Sequence, residues 1–215
     1  MTEKRGTNKL IKTLAVLVLL PLSIIIPTLS LESYYAPTTN AQVRNTKSFA
    51  ERKKQYRAQL KEALSTTDEQ RIQLRCLAVQ ANIKTLATRS GEVQTKRVAA
   101  YSEITKEMDA LSASLKNQAF ETSELDKNIA ELKVKVTAFQ TTLADYKQTL
   151  EDLTVIDCSQ DAASFKAALE TARDLHTKLI GQVAEVRAFI LNALKPSLQQ
   201  VREELVSQQA AGESR

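Results

Sequence analysis

The 215-residue chain has only four glycines and four prolines, few aromatic residues and no tryptophan. Folds with many tight turns, such as β-sandwiches, need glycine and proline at those turns, so this composition disfavours them. Abundant Ala, Leu, Lys, Glu, Gln and Arg instead favour long helices. The sequence therefore predicts an all-α protein.

Groups for catalysis or metal binding are equally scarce. The one histidine, His176, lies on an apolar helical stripe, and no second histidine exists to help form a zinc site. There is no glycine-rich phosphate loop and no nucleophile elbow. Acidic pairs such as Glu203 and Glu204 have the spacing of solvated helix faces. We therefore expect a protein that is not an enzyme, with no cofactor, no metal site and no small-molecule substrate.

Residues 1–41 have the layout of a secretory signal peptide. A basic start precedes eighteen largely apolar residues from Leu14 to Leu31, and Ala41 offers a cleavage site. The alternative is an uncleaved membrane anchor, because about 20 apolar residues cross a bilayer. In either case we expect export across the cytoplasmic membrane, to the periplasm, the cell surface or the medium.

Residues 42–66 are a basic lead-in with weak helical character. From Arg44 to Lys61 there are seven basic residues and one acidic residue, Glu51. The simpler interpretation is a solvated helix face, and the alternative is a contact with an anionic membrane or cell-wall surface. Outside residues 1–41 the net charge is +3, which is modest, and we do not expect nucleic acid as the partner. The residues that would make the anionic contact are Arg52, Lys53, Lys54 and Arg57.

Apolar residues recur at alternating steps of three and four from Tyr101 to Leu153, which is a heptad pattern. Its two failures, Gln118 and Thr122, are consecutive. Upstream the stripe runs through Ile72, Cys76, Val79, Ile83, Leu86, Ser90 and Val93. A wider stripe from 165 to 205 is typical of a helix lying between two others. We predict a helical domain over 67–208, with helices at about 67–116, 121–154 and 161–207 and a disordered tail at 209–215.

Two sites compete for the first turn, near Gly91 or near 117–120, and the cysteines decide between them. In an antiparallel pair of helices, the residue numbers of every facing pair have the same mean, and this mean marks the position of the turn. A turn near Gly91 would separate Cys76 from Cys158 by about 75 Å along the helix, whereas bonded cysteines need Cα atoms within about 7 Å. A turn near 117 places them opposite each other. An exported protein favours disulfides, so we predict a Cys76–Cys158 bond.

The predicted architecture is a long antiparallel coiled-coil hairpin plus a third helix, together an elongated three-helix bundle. The third helix could instead extend the hairpin past Cys158, but its wide apolar face favours folding back. Pro196 should kink or end this helix. Phe120, at the predicted hairpin tip, either tucks over the bundle end or contacts a partner.

The segments RCLAV, AYSEI, FETSEL and CSQDAASFKAAL, within residues 75–170, resemble exported helical proteins of bacteria. In those proteins a cysteine on the first long helix pairs with one after the second, and the resemblance brings no activity with it. We therefore expect a structural or protein-interaction role, with a protein partner or self-association. The alternatives are the anionic-surface module and a periplasmic holdase-type chaperone, which would need to oligomerise.

Overall fold

The computed structural model describes residues 47–60 and 62–213. Within these ranges every regular element is a helix, which confirms the all-α prediction. None of the described helices is long and apolar enough to cross a bilayer. The predicted signal peptide or anchor, at 1–41, lies outside the described residues.

Five helices follow one another within the described residues, and the last two are joined by a π-helical turn. They are α1 (Phe49–Gln59), α2 (Thr66–Asn117), α3 (Ser123–Val155), α4 (Ala162–Phe189), the π turn (Ile190–Leu194) and α5 (Lys195–Glu213).

The N-terminal end of α1 explains why the lead-in is a defined helix rather than the weak one expected. The Ser48 hydroxyl accepts a hydrogen bond from the Glu51 amide at 3.2 Å, and the Glu51 carboxylate accepts one from the Ser48 amide at 2.7 Å. This capping box satisfies two otherwise unpaired amides. At α2 the cap is Ser65, whose hydroxyl accepts a hydrogen bond from the Asp68 amide at 3.2 Å.

Helices α2 and α3 run antiparallel along their length. The Gln80 side chain donates to the Leu153 carbonyl at 3.1 Å near one end. Further along, the Tyr101 and Phe139 rings meet edge to face, with centroids 5.5 Å apart. Helix α4 then returns along α3, and α1 packs on α4. The third long helix therefore folds back, and the described residues form a helical bundle.

The core divides into two clusters along α3. One surrounds the disulfide end and includes Phe139, Tyr146 and Phe165, whereas the other lies toward the 118–122 turn and includes Met108 and Leu132. All nine stripe positions predicted on α3 are buried. They are Leu125, Ile129, Leu132, Val136, Phe139, Leu143, Tyr146, Leu150 and Leu153.

Helix α2 departs from the predicted stripe in its middle. Leu86 and Val93, expected to face the partner helix, are 47% and 55% exposed. Ala87 and Gln94 are half-buried in their place. The stripe steps by four residues after Ile83, to Ala87, instead of by three to Leu86, so its phase shifts at this point. Small and polar side chains therefore line this part of the α2–α3 interface.

The chain reverses direction at Gln118–Thr122 through a Schellman motif. The Phe120 amide donates to the Leu115 carbonyl at 3.1 Å, and the Ala119 amide donates to the Lys116 carbonyl at 3.0 Å. Both bonds satisfy carbonyls at the end of α2. Ala119 has a φ of 59°, in the left-handed region where glycine is favoured. The motif therefore carries backbone strain at one residue.

Replacing Ala119 with glycine should stabilise the protein by about 1 kcal/mol, because the left-handed conformation costs a residue with a Cβ about 1–2 kcal/mol. The midpoint of denaturant unfolding, followed by helical circular dichroism, measures this effect. Ala99→Gly, in the exposed middle of α2, is the control and should destabilise by about 1 kcal/mol. Equal destabilisation by both variants would contradict the strain at Ala119.

Pro196 does not end the third long helix, which continues to Glu213 and into the predicted tail. The π turn comes directly before it, and the Lys195 amide donates to the Ile190 carbonyl five residues back. A wider turn accommodates the proline, which has no amide to donate and clashes with a regular preceding turn. The Ser197 hydroxyl also donates to the Ala193 carbonyl at 3.1 Å. Alanines at 210 and 211 favour continuation of the helix beyond 207.

Candidate functional site

Helices α2, α3 and α4 meet at a disulfide. Cys76 of α2 and Cys158, in the loop before α4, are bonded with Cα atoms 5.7 Å apart, which confirms the predicted pairing. Both side chains are buried. The Gln80 side chain closes the same region by donating to the Ile156 carbonyl at 2.8 Å. We call this end of the bundle the base.

A buried carboxylate fastens α1 to the base. Arg52 donates from Nε and Nη2 to the two oxygens of Asp152, each at 2.7 Å, in a bidentate ion pair. The Tyr56 hydroxyl donates to the same carboxylate, also at 2.7 Å. The Arg52 and Asp152 side chains are 11% and 3% exposed. Because both charges are withdrawn from water, each depends on the other for compensation.

A second carboxylate, Asp161, joins α1 to the start of α4. It caps α4 by accepting from the Ser164 amide at 3.1 Å. Lys53 and Arg57 each reach one of its oxygens at 2.7 Å. Burial opposes ionisation of Asp161, but hydrogen bonds from Lys53, Arg57 and Ser164 outweigh it and hold its pKa well below the ordinary range. This contribution to stability is present above the unfolded carboxyl pKa of about 4 and is lost only in stronger acid.

These contacts form a charge cluster that we call the base cluster, which consists of Arg52, Lys53, Tyr56, Arg57, Asp152 and Asp161. They determine whether the cations of the basic lead-in are open to a partner. Of the four cations proposed for an anionic surface, Arg52, Lys53 and Arg57 are paired within the chain. Only Lys54 is exposed without an ion pair among the described residues. Among the described residues, most of the proposed cationic patch is therefore engaged in ion pairs within the chain.

Sequence reasoning missed the acidic half of the base cluster. Asp152 precedes Leu153 of the heptad stripe, so it lies beside the buried face of α3. Asp161 precedes the apolar run of α4, where an N-cap residue is expected. The local sequence therefore indicates where both carboxylates lie on their helices. It does not indicate their cationic partners, which are about 100 residues away along the chain.

The Tyr56 hydroxyl lies within the base cluster, and its burial raises its pKa to about 12. A hydrogen bond involving Thr149 opposes this increase in pKa, whereas the hydrogen bond to Asp152 adds to it. A raised pKa means that its contribution to stability is complete below the unfolded value of about 10 and is lost as the pH rises through 12. We therefore expect wild type to exceed Tyr56→Phe in unfolding free energy at neutral pH, and the difference to shrink between pH ~10 and ~12. Denaturant unfolding of both proteins across this range tests it. A difference that stays constant would contradict the burial of the hydroxyl.

The remaining predicted residues lie apart from the base. Phe120 is half-buried and packs against the core cluster beside the 118–122 turn. His176 is exposed, and its ring lies 5.8 Å from that of Tyr146. Within residues 47–60 and 62–213, no group of three or more His, Cys, Asp or Glu side chains could hold a metal ion.

An open groove of about 570 Å³ lies between α2 and α3. Small residues such as Ala87, Ser90 and Gly91 line it together with Leu150. The charged residues in its lining are Glu92, Lys96, Lys147 and Glu151. Small-molecule sites are usually enclosed and mostly apolar, with a few converging polar groups. The groove is shallow and of mixed charge, so it lacks those features.

Comparison with known proteins identifies no relative, since no family model, no curated protein and no solved structure matches this chain. The class of protein is therefore defined by the structure alone. The described chain is a helical bundle closed by one disulfide, with α1 bound to the base through the buried Arg52–Asp152 pair and two more exposed ion pairs to Asp161.

Proposed function

We propose that the chain is an exported, non-enzymatic coiled-coil protein with a structural or protein-interaction role. The observation that carries this proposal is the buried Cys76–Cys158 bond. Disulfides persist in oxidising compartments and are rare where glutathione and thioredoxin keep thiols reduced. The apolar run at 14–31 provides a route of export.

The geometry supports a rod that holds two ends apart. Helix α3, with 33 residues, spans about 50 Å between the base and the 118–122 turn. The base carries the disulfide, and the turn carries Phe120. We propose that the helices α2 and α3 act as a coiled-coil hairpin that presents this turn to a protein partner.

Export is tested with a reporter enzyme that is active only outside the cytoplasm, fused after Arg215. We expect an active reporter with the full chain. Replacing Leu17 and Leu19 with arginine interrupts the apolar run and should abolish that activity. The matched control, Lys106→Gln with Lys178→Gln, should leave it unchanged. Activity that survives the arginine substitutions would contradict export through this segment.

Partner binding at the turn is tested by introducing a photo-crosslinking residue at Gln118, which is exposed beside Phe120. We expect a cross-linked partner that is weakened by Phe120→Ala. A cross-linker at Val134, exposed on α3 away from the turn, is the control and should capture less. Equal capture from both positions would argue against the turn as the contact.

Of the alternatives, the anionic-surface module at 44–61 is not favoured, because three of its four cations are engaged in the base cluster. A holdase would grip clients between arms of several subunits. Sedimentation of the full chain distinguishes it, since a holdase requires an oligomer and the proposed rod does not.

A further inference from the structure

The charge of the described chain is unevenly divided. Residues 70–100 of α2 contain six basic residues and one acidic residue, a net charge of +5. Residues 101–213 contain 12 basic and 18 acidic residues, a net charge of −6. The basic residues of 70–100 are Arg71, Arg75, Lys84, Arg89, Lys96 and Arg97. One half of α2 therefore differs in sign from the bundle on which it packs.

Most of these cations are available to a partner, unlike those of α1. Arg75, Lys84, Arg89 and Lys96 are exposed and make no ion pair among the described residues. Arg71 is 74% exposed and lies 3.9 Å from Asp68, which is a long contact at the surface. Surface pairs of this kind contribute little.

The same part of α2 exposes two large apolar side chains. Leu74 and Leu77 are 87% and 82% exposed, the highest values among the large hydrophobic residues that the structure describes. They lie three residues apart, so they are neighbours on the helix surface. Arg71 lies one turn before Leu74, and Arg75 directly follows Leu74 in the chain. Water is a poor environment for two adjacent leucines, whereas the cations beside them gain from a negative surface.

We propose that α2 binds an anionic lipid surface through an outer strip formed by Arg71, Leu74, Arg75, Leu77, Arg89 and Lys96. Helices that lie in a membrane interface combine apolar side chains, which enter the headgroup boundary, with Lys and Arg that contact anionic lipids. The strip has both components. The acidic remainder of the bundle is repelled by the same surface, so the molecule lies with α2 toward the lipid.

A second copy of the chain fits the strip less well. Two strips facing each other would oppose net charges of +5. The acidic part of a second copy has the complementary charge, but its exposed large apolar residues are scattered over three helices, at Val134, Val155, Ile180 and Val206. No patch there matches the adjacent pair Leu74 and Leu77. The lipid surface accommodates both the charge and the leucines.

The chain has no tryptophan, so a single introduced one reports its own position. We expect the emission of Leu77→Trp to shift to the blue with phosphatidylglycerol vesicles and not with phosphatidylcholine vesicles. Val134→Trp, exposed on α3, is the matched control and should not shift. The apolar residues 14–31 are identical in both full-length proteins, so the difference between them reports the strip.

Charge dependence is tested by Arg75→Gln, Arg89→Gln and Lys96→Gln combined. Because each cation near an anionic surface strengthens binding roughly five-fold, this triple variant should weaken binding to the anionic vesicles about 100-fold. The control removes the same charge elsewhere, through Lys106→Gln, Lys178→Gln and Arg202→Gln, which are exposed and unpaired among the described residues. It should retain binding.

Several outcomes would overturn the proposal. They are equal shifts for the two tryptophans, equal loss for the two triple variants, or a blue shift of Leu77→Trp with polyglutamate but not with vesicles, which would identify an acidic protein as the partner. None of these outcomes affects the export reporter, so failure of this inference and failure of the proposed function are distinguishable.

Discussion

Replacing both Cys76 and Cys158 with serine should lower the free energy of unfolding by about 4 kcal/mol. The bond joins residues separated by 82 positions, and a closed loop of that length restricts the unfolded chain strongly in the chain-entropy account of disulfides. Denaturant unfolding followed by helical circular dichroism measures the loss. We expect the helical content in the absence of denaturant to remain, because the core of α3 does not depend on the bond.

Wild type unfolded in the presence of a reductant is the control for this experiment. Once reduced, it should have the stability of the double serine variant, because both lack the same closed loop. A double variant as stable as oxidised wild type would show that the bond contributes nothing. A double variant far less stable than reduced wild type would assign the loss to the serine side chains instead.

The second large effect is expected at Asp152. Asp152→Asn keeps the shape of the side chain but leaves the Arg52 guanidinium, 11% exposed, without its counter-charge. Removing one partner of a buried ion pair typically costs about 3 kcal/mol or more. Faster hydrogen exchange of the α1 amides, in Phe49–Gln59, should accompany the loss, because this pair fastens α1 to the base.

Glu151→Gln is the matched control, since it removes a carboxylate on the same turn of α3 that is exposed. It should change stability by less than about 0.5 kcal/mol. A combined Arg52→Met and Asp152→Leu variant should recover part of the loss, because apolar residues of similar volume often replace a buried pair at little cost. If Asp152→Asn and Glu151→Gln destabilise equally, the base cluster does not hold α1.

The part of the fold that sequence predicts well is the part with strict periodicity. On α3, a heptad of large apolar residues leaves one possible buried face, and each position from Leu125 to Leu153 is buried. The mean of the two cysteine numbers is 117, and the observed turn begins one residue later, at Gln118. The disulfide between distant residues therefore predicts the position of the turn correctly, whereas Gly91 alone would have placed the turn too early in the chain.

Where the pattern is degenerate, the prediction failed. Leu86 and Ala87 both offer an apolar side chain to the α2–α3 interface, and hydrophobicity alone favours the larger one. The structure buries Ala87 more and exposes Leu86. The phase shift after Ile83 depends on how closely the two backbones approach, which the spacing of apolar residues does not specify.

The candidate site was only half visible for a related reason. A basic helix such as α1 has the same sequence whether its cations face water or a buried carboxylate. Arg52 donates to Asp152, which is one hundred positions away in the chain, and only the tertiary fold brings the two residues together. The exposed cations of α2 lie away from its apolar stripe, so a prediction based on that stripe alone does not find them. Charge counted by segment would have revealed the net +5 of residues 70–100.

We propose that this helical bundle works outside the cytoplasm, with its base closed by the disulfide. The most direct test is to alkylate the native protein in intact cells, digest it without reduction and identify the cysteine peptides by mass. The account predicts one peptide pair that joins Cys76 to Cys158, with neither sulfur alkylated. Two alkylated thiols in the native protein would contradict it.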